Sequence, residues 1–229
     1  MSGTGRRVGR PRAQARPESG LPTREELLEA AAELFTTRGY AATTTRAVAD
    51  LAGLRQASMY HYFAGKEDLL AALLEGTVGP SLKLAALLTG RDDASAEARL
   101  WALCRADVAL LCDGPHNLGV LYLLPEVVRA ERFAGFRAVR DELKAAYAAL
   151  LAATSAGARL PPAAFAVRAD LVFGLIEGVI LIRREAPIPD AEAFASATAD
   201  AALRVAGCPE EVMARLHREG EALLAACSA

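Results

Sequence analysis

The chain has 229 residues, enough for one large domain or two smaller ones, with 53% apolar residues and a formal net charge of −2. No uninterrupted apolar run approaches the roughly 18 to 20 residues of a membrane-spanning helix, since the longest, Phe173 to Ile182, is broken by Glu177. The arginines near the N-terminus are not followed by an apolar region, so a secretory leader is not expected and a cytoplasmic protein is.

The charge is unevenly spread. Residues 1–17 hold Arg6, Arg7, Arg10, Arg12 and Arg16 without an acid, whereas from residue 67 onward 22 acids outnumber 16 bases. That asymmetry suits a protein presenting one end to a polyanion. Residues 1–20, rich in Gly, Pro, Arg and Ser, cannot bury enough apolar surface to fold alone and are expected to form a flexible basic arm. Cys104, Cys112, Cys208 and Cys227 are too scattered for a disulfide framework or a CxxC pair, so free thiols and no metal are expected.

From Thr23 the apolar residues Leu27, Leu28, Ala31, Leu34 and Phe35 recur at helical spacing, and Gly39 ends that helix in a left-handed conformation. Thr43, Thr44 and Thr45 offer an N-cap to a short second helix with Val48, Leu51 and Ala52 inward, which Gly53 closes. Leu54 leads into a third helix over about residues 56–62, and Lys66 opens a longer one. Three short helices with a glycine turn between the last two read as a helix-turn-helix, whose third helix lies in the major groove of DNA.

The run "GYAATTTRAVADLAGLRQASMYHYFAGKEDLL" resembles the N-terminal domain of the TetR family of bacterial transcriptional repressors. The likeness covers about residues 23–74, where Gly39-Tyr40, the threonine pair, Val48-Ala49, Ala52-Gly53, Tyr60, Phe63 and Lys66 fall at the family's spacing. Arg55 departs from it, standing where many members carry a Ser or Thr cap. The resemblance implies an all-α protein with a helix-turn-helix domain at residues 21–66 and a larger helical ligand-binding and dimerisation domain at 67–229. It further implies a homodimeric repressor on a palindromic operator, released by a small molecule, with no cofactor and no enzymatic activity. A DNA-binding dimer without a small ligand, gated by a protein partner or acting as an activator, is the alternative.

Within the helix-turn-helix, Met59 and Phe63 are expected in the core, leaving Tyr60 and Tyr62 to reach phosphates with their phenols and His61 to meet phosphate or a base edge. Thr44 and Thr45 sit at a helix N-terminus, a natural phosphate seat. Lys66 repeats that arrangement at the next helix. Base reading falls to Gln56, which can pair bidentately with adenine, to Arg46 or Arg55 with guanine, and to Ala57 against a thymine methyl. Ser58 completes the candidate set on the third helix.

Beyond residue 96 the sequence reads as helices over 96–112, 118–130, 133–155, 162–185, 190–206 and 209–226. The fourth of these is apolar nearly all round, which predicts burial on both sides. Gly174 and Gly178 on it, with Phe194, Ala197 and Ala201 on the next helix, are the candidate dimer interface. Trp101, Tyr122, Phe133, Phe136 and Phe173, with His116, Asn117 and Glu177 as polar members, are the candidate effector site. Glu177 is expected to pair with a cationic ligand group or with an arginine such as Arg168 or Arg183. Cys112, Asp113 and His116 are the nearest approach to a nucleophilic constellation, and Gly114 and Pro115 separate them.

Overall fold

The computed structural model describes residues 23–227, so the basic arm expected at residues 1–20 lies outside the described residues. No strand occurs among the described residues. Ten α-helices follow one another: α1 (Thr23–Thr37), α2 (Thr45–Leu51), α3 (Gln56–Met59), α4 (Lys66–Thr89), α5 (Ala96–Cys112), α6 (Pro125–Arg129), α7 (Ala134–Ala153), α8 (Pro162–Glu185), α9 (Ala191–Ala206) and α10 (Glu210–Cys227). Short 3₁₀ turns at Leu118–Leu123, Glu131–Phe133 and Gly157–Arg159 join some of them. The chain divides into two compact units between Leu69 and Leu70, inside α4.

In the first unit, α1 buries Leu27, Ala30, Ala31, Leu34 and Phe35, and α2 buries Val48 and Ala49. The Tyr40 ring meets Phe35 edge-on at 5.1 Å. Gly39 and Gly53 adopt φ of 88° and 75°, a region costly for residues with a Cβ, so each turns the chain sharply at a helix end. Thr43 Oγ1 donates to the carbonyls of Gly39 at 2.9 Å and Leu34 at 3.2 Å, closing the end of α1.

In the second unit α5 is central, packing most extensively on α9 and α10 and also on α7 and α8. It buries residues around most of its circumference, Trp101, Leu103, Cys104 and Val108 among them. Trp101 gives its indole N–H to Asp200 at 2.6 Å and stacks obliquely on His217 at 4.7 Å. Gly220 of α10 lies against the same ring so closely that a Cβ there would overlap it. The expected helix over 118–130 is instead a 3₁₀ turn and α6, because Pro125 has no N–H to continue a helix and starts a new one. The loop after α5 is pinned by one side chain: the Arg183 guanidinium donates to the carbonyls of Leu111 at 2.8 Å, His116 at 3.3 Å, and Gly114.

Within one protomer α8 is covered on one side, which leaves its other apolar face for a second chain as the sequence reading has it: Val172, Phe173, Ile176, Val179 and Ile180 point inward, while Val167, Leu171, Leu181 and Ile182 are each between 47% and 60% exposed. α4 contains an 18-residue window of mean hydropathy 1.3, apolar and long enough to cross a membrane by length and composition; 44% of that window is buried within the protein. Counting uninterrupted runs passes over it because Glu75 and Lys83 break the apolar run within the helix.

Candidate nucleic-acid interface

Thr44, in extended conformation, caps α2 by accepting from the Ala47 N–H at 3.1 Å. After Gly53, the Leu54 N–H returns to the Ala49 carbonyl at 2.8 Å and α3 begins. Arg55 precedes it and supplies no side-chain cap. α3 is shorter than the expected two turns, spanning Gln56–Met59, but hydrogen bonds from the Tyr62 and Phe63 N–H groups to the Met59 carbonyl at 2.9 and 3.0 Å carry the turn onward. Met59 is fully buried and Phe63 nearly so. Burying these two leaves the intervening residues outward: Tyr60 and Tyr62 are each 49% exposed, and His61 is exposed. Arg46, Arg55 and Ala57 are exposed as well, with Thr45 and Ser58 half-buried. Arg46 stands 3.8 Å from Asp50 in an exposed pair, a contact too loose and solvated to hold the guanidinium.

Three of these side chains form a closed polar group. Gln56 Nε2 donates to Thr45 Oγ1 at 3.1 Å and to the Tyr60 phenol at 3.3 Å, while Thr45 Oγ1 and Tyr60 Oη are 3.4 Å apart. Sequence spacing brought these residues to one region but gave no sign of their bonds.

Lys66 corrects the expectation of a phosphate contact. Its ammonium donates to the carbonyls of Tyr40 at 2.9 Å, Thr43 at 3.2 Å and Ala41 at 3.5 Å, and lies 4.3 Å from the centre of the Tyr40 ring. All three hydrogens are thereby directed at the loop before α2. Lys66 builds that loop, its hydrogens taken by backbone carbonyls.

The second unit assembles part of the aromatic set named from the sequence. Tyr122 packs on Phe136 at 5.1 Å, and Phe173 meets Tyr147 at 5.5 Å with the Arg140 guanidinium 5.3 Å over its face. Glu177 is held by two bonds from Arg140, one of them Nε to Oε1 at 2.6 Å. Neither Arg168 nor Arg183 is its partner: Arg168 reaches the Ala206 carbonyl, and Arg183 the loop after α5. Trp101 does not join this group, facing α9 and α10 instead. Phe133 is buried. Asn117 donates to the Ile180 carbonyl at 2.9 Å, and the carbonyl of His116 accepts from Arg183.

Sequence reasoning missed the most deeply buried polar members. Asp107 of α5 accepts from Ser81 at 2.8 Å and from Tyr147 at 2.9 Å, and Tyr122 donates to Thr77 at 2.6 Å. Burial pushes the Asp107 carboxyl up to about 6, although both hydroxyl donors favour its charged form. The Tyr122 and Tyr147 phenols are also pushed up by burial. Asp107 carried the signal that singled out Glu177, a carboxylate within an apolar helix. A cleft of about 380 Å³ opens between Pro80, Ser81 and Leu84 of α4, Ala106 and Ala109 of α5 and Glu192 of α9. None of the eight effector-site residues named from the sequence lines it.

Burial pushes the Cys112 thiol up, the opposite of what a thiolate nucleophile requires. No group of three or more His, Cys, Asp or Glu side chains suited to a metal occurs among the described residues. The four cysteines are free thiols. On the far face of α8, Gly174 is exposed and Gly178 half-buried, with open space where each Cβ would stand. Ala197 on α9 is exposed, with Phe194 and Ala201 half-buried.

Residues 27–73 match the family of bacterial regulatory proteins described as tetR. Over 53 residues, 23% of the chain, there is 53% identity to the HTH-type transcriptional repressor KstR2 of Mycobacterium tuberculosis, so the match spans about a quarter (26%) of that relative's length. The crystal structure of Mycobacterium smegmatis AmtR is similar throughout: 45% identity, 92% of this chain and 98% of the other, with a TM-score of 0.82. The structure of the ketosteroid transcriptional regulator KstR2 of Mycobacterium tuberculosis superposes with a TM-score of 0.62 at 25% identity, covering 81% of this chain and 94% of that one.

Proposed function

Because the chain belongs to the TetR family, and is therefore a DNA-binding transcriptional regulator rather than an enzyme, we propose that it is a cytoplasmic homodimeric repressor. Its first unit places α3 in the major groove of a palindromic operator. The observation that carries this is the construction of α3: burial of Met59 and Phe63 turns Arg55, Gln56, Ala57, Tyr60, His61 and Tyr62 outward on one short element. Donors, acceptors and half-apolar phenols on one protruding turn suit base edges and flanking phosphates. Thr44 and Thr45 at the start of α2, with Arg46, serve the backbone contacts. The repressor reading is supported by the relative named as a transcriptional repressor.

Dimerisation through α8 and α9 is supported by the exposed Val167, Leu171, Leu181 and Ile182, with Gly174 and Gly178 between them allowing a second helix to approach. A two-fold dimer sets its half-sites about one helical turn apart or somewhat more. An apolar or aromatic effector, bound among Tyr122, Phe136, Phe173 and the Arg140–Glu177 pair, would lower DNA affinity by favouring the released state.

Selection of bound duplexes from a random pool, with sedimentation of the free protein, tests the reading. A palindromic consensus and a dimer at micromolar concentration are expected; no enrichment, or a monomer, overturns it. Thermal-shift screening of aromatic compounds follows, and the effector part fails if no stabilising compound also releases DNA.

A further inference from the structure

The cleft between α4, α5 and α9 differs in chemistry from the aromatic group assigned to the effector. Its volume of about 380 Å³ lies within the range of small-molecule sites, roughly 300 to 1,000 Å³. Apart from Ser81, Asp113 and Glu192 its lining is apolar, with Leu84 of α4 and Ala109 of α5 among its walls. No lysine, arginine or histidine lines it.

The charge around this cleft has one sign in excess. Asp113 is the exposed C-cap of α5, where the last carbonyls carry the negative end of the helix dipole. Arg183 answers part of that end by taking the Leu111 carbonyl. Glu192, also exposed, shares Arg105 with Glu221, so one guanidinium serves two carboxylates. The positive end of α9 is met within its own chain by the Asp190 cap. Ser81 is 3% exposed and its hydroxyl lies 2.8 Å from Asp107 Oδ1. Above about pH 6 Asp107 is a carboxylate and can only accept, so the single hydrogen of Ser81 goes inward and acceptor capacity is what the serine has left.

We propose that this cleft binds a small organic cation, a protonated alkylamine whose chain lies along the apolar walls and whose ammonium sits at the rim beside Asp113 and Glu192. Alkyl walls suit the chain better than they suit a hydrated inorganic ion, and no group of three or more His, Cys, Asp or Glu side chains suited to a metal occurs among the described residues. An anion would meet two carboxylates and no base in the lining. The site is separate from the aromatic group around Arg140 and Glu177, and stands whether or not that group takes an effector.

Saturation-transfer NMR titration of the full chain tests this with n-hexylammonium, and with n-hexanol and hexanoate as its neutral and anionic counterparts. Hexylammonium is expected to bind, hexanol more weakly and hexanoate not at all. Asp113→Asn and Glu192→Gln should each weaken hexylammonium about threefold to fivefold, the size of one solvated ion pair. Ala109→Phe, which fills the cleft, should abolish binding. Circular dichroism checks that the variants fold, and the two charge variants, at exposed positions, keep the test intact if Ala109→Phe does not. No binding of hexylammonium, or hexanoate binding as well as hexylammonium, overturns the proposal. So does affinity unmoved by Asp113→Asn and Glu192→Gln, and if Glu177→Gln alone weakens it, the cation belongs to the aromatic group instead.

Discussion

The phenol of Tyr147 on α7 donates to Asp107 on α5 at 2.9 Å, wholly inside the protein, and no cation among the described residues partners this carboxyl. Ser81 donates to its other oxygen, while the neighbouring Cys104 is neutral and Glu177 adds a repelling charge. Burial raises the carboxyl to about 6, above its ordinary value of 3.8, so the folded protein holds this proton more tightly than the unfolded chain. The associated stability is full below the unfolded value and is lost as pH rises through about 6. A shift of this size is worth about 3 kcal/mol. Asp107→Asn should therefore match or exceed the wild type in urea unfolding at about pH 7.5, and lose ground to it by about 2 kcal/mol on going to about pH 4.5. A stability difference that does not change with pH would remove Asp107 as the source.

Gly220 tests how tightly α10 is seated. Gly220→Ala gains helix propensity worth about 1 kcal/mol but sets a methyl group into the Trp101 indole. Overpacking of this kind costs about 1 to 3 kcal/mol, so a net loss is expected by thermal unfolding. Trp101 is the single tryptophan of the chain, and its emission should shift with the same substitution.

Lys66→Met keeps the length of the side chain and removes the ammonium. Hydrogen bonds to a charged donor are worth about 1.5 to 3 kcal/mol, so the loop before α2 should loosen and DNA affinity should fall on every sequence. Losing a phosphate contact would reduce the salt slope by about one. Because the ammonium is turned inward, binding measured over a salt series should show an unchanged slope.

Leu171 is 57% exposed on the outward face of α8, so Leu171→Glu should leave the fold of the protomer intact. On a surface that meets its own copy, each dimer acquires two desolvated charges, and sedimentation should report monomers at micromolar concentration. Retention of a dimer by this variant would place the interface elsewhere.

The sequence and the structure agree where local rules decide the outcome. α5 and α8 have the bounds read from the sequence, because Ser95 caps one and prolines open the other. Gly39 and Gly53 turn where expected for the same reason. Agreement fails where a side chain chooses among distant partners. A lysine at a helix start looks alike whether it meets solvent, phosphate or three carbonyls, and Lys66 took the last across more than twenty residues of chain. Glu177 is recognisable from the sequence as a carboxylate within an apolar run, but its arginine comes from α7 and not from either arginine nearest at hand on α8. By composition Trp101 groups with the other aromatics, and only the packing of α9 and α10 on α5 shows that it faces elsewhere.

The Arg183 guanidinium, by holding the carbonyls of Leu111, Gly114 and His116 together, has a consequence for proteolysis. Residues Asp113, Gly114 and Pro115 are exposed and look from the sequence like an open nicking site. A protease must draw such a segment into an extended strand across its own cleft, and here extension requires three bonds to one rigid fork to break together. The loop, though open to solvent, is expected to resist digestion, and limited proteolysis should cut Arg183→Ala there sooner than the wild type.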